Sequence, residues 1–166
     1  MKKALLVVDM QKLYIGENHI DCFDYSPNLI NSVNQVINDN KGNIVVYIRN
    51  VVKRNWINQH IPYYAYEGTE AAELVGSLNK VSDFVFDKSV GNAFSNKALI
   101  EFLNKNHIDT VEIIGIDGGG CVSLTAIGAV KKKLNVIINT KAVGTMIEKR
   151  KEKYFKKLRA MGAEFI

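Results

Sequence analysis

The sequence contains no long apolar run, and this bears on where the protein resides. Its apolar stretches are far shorter than the roughly 20 residues that a membrane-spanning helix needs, so no membrane span is predicted. The apolar segment Ala4–Val8 follows two lysines but is too short for a signal peptide and is ended by Asp9. We therefore interpret it as a buried first strand and expect a cytoplasmic protein without a membrane partner.

Cysteine and histidine are also scarce. The two cysteines, Cys22 and Cys121, are expected to stay free thiols, because structural disulfides are rare inside cells. The three histidines, His19, His60 and His107, form no spacing typical of metal ligands. We predict no catalytic metal and no other cofactor.

The chain of 166 residues carries a net charge of +5, which raises the question of nucleic-acid binding. The positive excess lies in Lys131–Lys133 and in the segment Glu148–Arg159, where acidic residues are mixed with the basic ones. Both segments resemble the solvated outer faces of helices, and no nucleic-acid-binding motif accompanies them. We therefore expect no nucleic-acid partner.

Short apolar runs alternate with helical patterns along the whole chain, and the length suits one domain, residues 1–166. The predicted strands are Ala4–Val8, Ile44–Ile48, Phe84–Phe86, Thr110–Ile116, Asn135–Asn139 and a last edge strand Glu164–Ile166. The predicted helices are Asn28–Asn38, a short one in Thr69–Asn79, a helix from Ser95-Asn96 through Lys105, Val122–Leu134 and Met146–Met161. This alternation predicts an α/β fold, a Rossmann-like three-layer α/β/α arrangement around a mainly parallel sheet of five to six strands.

Polar residues follow several of these strands at the edge where such sheets bind ligands. Asp9 follows the first strand, Arg49 and Asn50 the second, and Lys88 the third. Cys121 lies after three glycines, at the junction between the fourth strand and a helix. Free N–H groups and the helix dipole at that place favour a thiolate, so we expect a lowered pKa for Cys121.

Each of these residues also has an ordinary structural explanation. Asp9 could be a hydrogen-bonding residue at a strand end, Lys88 a surface lysine, and Cys121 a small buried apolar side chain. Together they form a coherent nucleophile site, in which the acid takes the thiol proton and the lysine holds the charged pair.

Three segments of the sequence resemble motifs of the isochorismatase-like cysteine hydrolases. The segment Leu5–Gln11 is similar to the first motif of that family, and Lys88 followed by Ala93-Phe94 is similar to its lysine motif. The segment Gly115–Val122, followed by Thr125-Ala126, is similar to its nucleophile turn. The motifs occur in the family order, and the resemblance covers essentially the whole chain.

The resemblance implies a Rossmann-like fold and a catalytic triad of Asp9, Lys88 and Cys121. It implies a cis peptide between Ile116 and Asp117, with the backbone N–H groups of Asp117 and Cys121 forming an oxyanion hole. Amidase members of the family hydrolyse small amides through a thioester, and members commonly form dimers or tetramers. By this resemblance we expect a small amide substrate and a homodimer or homotetramer.

Departures of the sequence from the family motifs exclude some of the activities that occur in the family. Nicotinamidases bind a metal through an Asp-x-His motif after the second strand, where this chain has Arg49-Asn50-Val51-Val52, so nicotinamidase activity is not expected. Isochorismatases proper lack the nucleophilic cysteine, so Cys121 argues against cleavage of an enol ether. Asp117 stands where members have a small residue, and Gly118-Gly119 stand where they have a Thr-Asp-like pair.

The function predicted from the sequence is hydrolysis of the C–N bond of a small amide. The aromatic-rich segment Val51–Tyr66 is irregular. It could form a wall of the substrate pocket, or it could be a packed surface loop or a subunit contact. We name four residues as candidates for substrate binding: Trp56, Tyr63, Tyr64 and Phe94. The alternative function is that of a family member with weak or no catalysis that binds a small ligand or a partner, which Asp117 and the three glycines favour.

Overall fold

The fold is built around a six-stranded sheet in which every pair of neighbouring strands is parallel. The structure is a computed structural model and describes residues 1–17 and 19–166. Its strands are β1 Lys3–Val8, β2 Ile44–Asn50, β3 Val85–Lys88, β4 Thr110–Gly115, β5 Asn135–Val143 and β6 Glu164–Phe165. Its helices are α1 Leu29–Asp39, α2 Lys97–Lys105, α3 Cys121–Lys131 and α4 Glu148–Ala160, with short 3-10 helices at Glu70–Ala72 and Ala93–Ser95.

Alternating side chains of the strands divide the core into two layers, one on each face of the sheet. Leu6 and Val8 of β1 pack with residues of α2, α3 and α4 on one face. Leu5 and Val7 pack on the other face with residues of α1 and of the irregular segments around it. The predicted α/β fold with helices on both faces of a parallel sheet is confirmed. Among the described residues, no helix combines the length and the apolar character that crossing a bilayer requires.

The strand order β3-β2-β1-β4-β5-β6 places β1 beside β4 in the middle of the sheet. Val8 at the end of β1 pairs with Gly115 at the end of β4. Gly115 has a φ of +108°, and a Cβ there would lie 2.1 Å from the carbonyl oxygen of Val8. Only glycine fits this approach, which brings the residues that follow the two strands together at one edge.

Two of the differences from the sequence prediction are explained by long-range contacts. The helix predicted in Thr69–Asn79 is reduced to the turn Glu70–Ala72, because Leu74 forms a β-bridge with Gln11 and the Val75 N–H bonds to Met10. Helix α4 begins at Glu148 and not at Met146, whose N–H donates to the Asp117 carboxylate instead.

Candidate active site

Three side chains from three separate segments of the chain meet at the carboxyl edge of the sheet. The Lys88 ammonium donates to Asp9 Oδ2 at 2.8 Å and to Cys121 Sγ at 3.3 Å. Lys88 is the last residue of β3, Asp9 follows β1 in a left-handed conformation with φ of 55°, and Cys121 is the first residue of α3. Asp9 and Lys88 are each only 3% exposed, so this ion pair is almost fully removed from water.

Burial has the largest effect on the pKa values of Asp9 and Cys121. It raises the pKa of Asp9, although Lys88 partly opposes the change. Burial, assisted by the Asp9 carboxylate, raises the pKa of Cys121 from 9.0 to about 12, against the opposing effect of Lys88. The Asp9 carboxylate and the Cys121 thiol also keep the pKa of Lys88 above its ordinary value, despite burial. The prediction of a lowered pKa for Cys121 is therefore wrong for the site without substrate. With a pKa of about 12, the Cys121 thiol keeps its proton at neutral pH.

The turn at residues 116–121 leaves two backbone donors beside the thiol. The peptide bond between Ile116 and Asp117 is cis. The N–H of Gly118 donates to Gly144, and the N–H groups of Gly120 and Val122 donate to the carbonyl of Asp117. Within the described part of the chain, the N–H groups of Asp117 and Cys121 have no hydrogen-bond acceptor. Two unpaired N–H groups next to a nucleophile are what binding an oxyanion requires.

The carboxylate of Asp117 is held by neighbouring donors. Its Oδ1 accepts from the Gly119 N–H at 2.6 Å and from the Thr145 hydroxyl at 3.4 Å. Its Oδ2 accepts from the Met146 N–H at 2.8 Å and from the Tyr25 hydroxyl at 3.3 Å. Burial and this carboxylate raise the pKa of Tyr25, which therefore stays a neutral donor. The Asp117 carboxylate thus accepts from four donors, and it ties the turn to the segment before α4.

A cavity of about 330 Å³ opens beside Cys121. Most of its wall is aromatic or apolar, as is usual for small-molecule sites. It is lined by Asp9, Tyr14, Phe23, Tyr25, Asn50, Tyr63, Tyr64, Ile116, Asp117, Gly119, Gly120, Cys121, Met146, Ile147 and Arg150.

The structure brings two of the four candidate substrate-binding residues to this cavity. Tyr63 and Tyr64 line it. Trp56 does not, because its side chain projects from the surface and is 83% exposed. Phe94 does not either, since the 3-10 helix Ala93–Ser95 turns it into the core beside α2 and α3. Trp56 and Phe94 therefore do not line the cavity, in contrast to the sequence prediction.

Several lining residues were not named as candidates for substrate binding from the sequence. Asn50 was placed at this edge of the sheet, after the second strand, but was not named as such a candidate. Tyr14, Phe23 and Tyr25 belong to an irregular segment, and Arg150 comes from the start of a helix whose orientation no local pattern reveals.

Asn50 is held rigidly at the end of β2 by the side chain of Gln11. The Asn50 N–H donates to Gln11 Oε1 at 2.7 Å, and Gln11 Nε2 donates back to the Asn50 carbonyl at 3.1 Å. The Asn50 side-chain amide donates to the Tyr14 hydroxyl at 3.4 Å. Its oxygen, Oδ1, is buried and has no partner among the described residues, and the same holds for Asp9 Oδ1.

The residues near this edge do not suit a metal ion. In the part of the chain that the structure describes, no three His, Cys, Asp or Glu side chains group together as ligands. The residue that ends β2, Asn50, carries an amide and not a carboxylate. The neighbouring Arg49 is occupied by ion pairs with Asp87 and Glu73.

Comparisons with known proteins agree with this arrangement. A family model described as the isochorismatase domain matches residues 3–166. No curated protein matches the chain in sequence.

Solved structures share the fold over nearly the whole length. An isochorismatase-like hydrolase from Alkaliphilus metalliredigens has a TM-score of 0.88 and 23% identity, covering 99% of this chain and 94% of that one. N-carbamoylsarcosine amidase from Thermoplasma acidophilum has a TM-score of 0.82 and 27% identity, covering 99% and 95%. A pyrazinamidase of Pyrococcus horikoshii, solved in complex with zinc, has a TM-score of 0.81 and 23% identity, covering 100% and 99%.

Proposed function

The chain belongs to the isochorismatase family of hydrolases, and from this we propose that it cleaves the C–N bond of a small amide through a thioester on Cys121. The observation that carries the proposal is the buried Lys88 ammonium in contact with both Asp9 and Cys121. A nucleophile, a base and a fixed positive charge beside an apolar cavity form a complete set for acyl transfer. The amidase from Thermoplasma acidophilum supports an amide as the substrate.

In the first half of the reaction, Cys121 transfers its proton to the unpaired Oδ1 of Asp9 as Sγ attacks the amide carbon. Because the pKa of Asp9 is raised, its carboxylate is a stronger base than an exposed one. The negative charge that develops on the amide oxygen is received by the N–H groups of Asp117 and Cys121. Asp9 then gives the proton to the leaving nitrogen, and ammonia or an amine departs.

In the second half, water hydrolyses the thioester. Asp9 takes a proton from the attacking water, the C–S bond breaks, and the proton returns to the Cys121 sulfur. Lys88 keeps its proton throughout, because both neighbours favour its charged form. Its charge stabilises whichever of Asp9 and Cys121 is anionic at each step.

The test is release of ammonia or amine from a panel of small primary and secondary amides. We expect release by the unmodified protein, a loss of at least about 1,000-fold in Cys121→Ala, and hydroxamate formation when hydroxylamine intercepts the thioester. Cys22→Ala is the matched control, because Cys22 is an exposed cysteine that does not line the cavity and its loss leaves activity unchanged. Release that persists in Cys121→Ala contradicts the proposal, and ligand binding without release from any amide supports the non-catalytic alternative.

A further inference from the structure

Asn50 presents a buried acceptor that nothing in the reaction described above uses. Asn50 is one of the residues that line the cavity, and its Oδ1 is buried without a hydrogen-bond donor among the described residues. A buried amide oxygen without a partner costs free energy, and such an atom at a site wall indicates a donor on the ligand. We propose that Asn50 Oδ1 accepts an N–H of the leaving nitrogen of the bound amide, so that Asn50 selects amides over esters.

The surroundings of Asn50 hold its backbone in place and give its side-chain amide one partner. Gln11, which is fully buried, clamps the backbone of Asn50 on both its N–H and its carbonyl. The Asn50 side-chain N–H is directed at the Tyr14 hydroxyl, which leaves the oxygen as the free atom. Burial and the Asp9 carboxylate raise the pKa of Tyr14, so this phenol stays neutral beside Asn50. The acceptor is therefore preorganised, and it costs little further ordering when a ligand binds.

The role follows from the chemistry of the leaving nitrogen and rests on the proposed function. When Sγ adds to the carbonyl carbon, the nitrogen becomes tetrahedral and basic, and its lone pair must face the proton held by Asp9. An N–H that is bound to Asn50 Oδ1 sets the rotation of the nitrogen and points the lone pair away from Asn50. The leaving oxygen of an ester has no N–H, so the same Oδ1 meets only lone pairs and repels it.

The experiment compares benzamide with methyl benzoate, which share one acyl group and suit an aromatic cavity. In Asn50→Leu, which keeps the approximate volume and removes the acceptor, kcat/KM for benzamide is expected to fall about 10- to 100-fold. For methyl benzoate it stays within about threefold or rises. Asn31→Leu, at an exposed position of α1, is the matched control and leaves both values unchanged. Asn50→Ala gives the same change in the amide-to-ester ratio and replaces the leucine variant if that variant does not fold.

Each outcome has a defined meaning. A selective loss on benzamide supports the role of Asn50. An equal loss on both substrates indicates a merely structural residue and overturns the inference, as does an unchanged ratio. If neither probe is cleaved in a Cys121-dependent way by the unmodified protein, the proposed function itself fails, and this result is distinct from an unchanged ratio.

Discussion

Lys88 is the residue on which the charge balance of the site depends. Its ammonium is buried against Asp9, with side-chain exposures of 0% and 4%. Lys88→Met leaves the Asp9 carboxylate without its counter-charge, and such a change in a buried pair costs about 3–5 kcal/mol. We expect this loss in the free energy of unfolding, measured with urea at neutral pH, together with loss of amide hydrolysis.

Lys80→Met is the matched control for this variant. Lys80 pairs with Asp83 at the surface, with exposures of 50% and 98%, and exposed pairs contribute little. A Lys88→Met variant no less stable than Lys80→Met would mean that the buried pair does not carry the energy assigned to it. Adding Asp9→Asn to Lys88→Met should restore part of the stability, because the unbalanced charge is then removed.

The reactivity of Cys121 tests the protonation of the site. With a pKa of about 12, the thiol should react slowly with iodoacetamide at pH 7–8 and faster as the pH rises. Asp9→Asn removes the carboxylate that helps to raise this pKa and leaves the Lys88 cation, so alkylation near neutral pH should accelerate while hydrolysis stops. The rates are measured in a Cys22→Ala background, and equal rates with and without Asp9 would contradict this electrostatic account.

The sequence indicated Asp9, Lys88 and Cys121 because each follows a strand that its apolar pattern identifies. It did not indicate how Asp117 is held, because its donors include a backbone N–H 29 residues later in the chain. The sequence also did not indicate the direction of the change in the Cys121 pKa, since burial and the Asp9 carboxylate outweigh the effect of the Lys88 cation. Both properties depend on tertiary contacts that a local pattern does not contain.

At the scale of elements, the approach of β1 to β4 sets the geometry of the site. A side chain at Gly115 would lie 2.1 Å from the Val8 carbonyl oxygen, at a φ of +108°. Gly115→Ala is therefore expected to lower the free energy of unfolding by more than about 2 kcal/mol, through backbone strain and steric overlap. It should also reduce kcat, because Asp9 directly follows Val8.

Urea unfolding and steady-state kinetics measure these two effects. Gly42→Ala is the control, because no atom lies within 4 Å of its added Cβ and its φ is outside the positive region. If Gly115→Ala is as stable and active as Gly42→Ala, the close contact between the strands does not determine the site.

Elements that local sequence patterns determine were predicted more accurately than elements that depend on long-range contacts. Strand β1 and helix α1 were predicted to within a residue or so, because their apolar periodicity is strong and their ends carry stop signals. The segment Thr69–Asn79 was not, because pairing with the segment after β1 overrode its helical pattern. Trp56 and Tyr63 lie in one irregular segment, where no period distinguishes an exposed side chain from one in the cavity.

At the scale of the whole molecule, the buried thiol makes stability depend on alkaline pH. Unfolding returns Cys121 to its ordinary pKa of 9.0, whereas the folded value is about 12. Between these pH values the unfolded chain has lost a proton that the folded protein keeps, so the free energy of unfolding falls as pH rises from 9 to 12. Lys88, whose pKa is also raised, contributes a fall of the same sign.

Urea unfolding at a series of pH values from 8 upward measures this fall. It should be smaller in Cys121→Ala than in Cys22→Ala, and equal slopes would contradict the raised pKa of Cys121. Self-association into a homodimer or homotetramer remains a prediction at this scale, and light scattering on the purified protein measures it directly.

The burial of Lys88 has one practical consequence for following the protein in solution. An amine-reactive reagent modifies lysines that contact solvent, and the Lys88 side chain is 0% exposed. Its labelling rate, measured by peptide mass spectrometry, therefore reports how often the sheet edge opens. The labelling rate of surface lysines serves as the reference for the activity of the reagent. A ligand that fills the cavity should slow the labelling of Lys88 and leave the labelling of surface lysines unchanged. The labelling rate of Lys88 therefore reports whether the cavity is occupied, even by compounds that are not turned over.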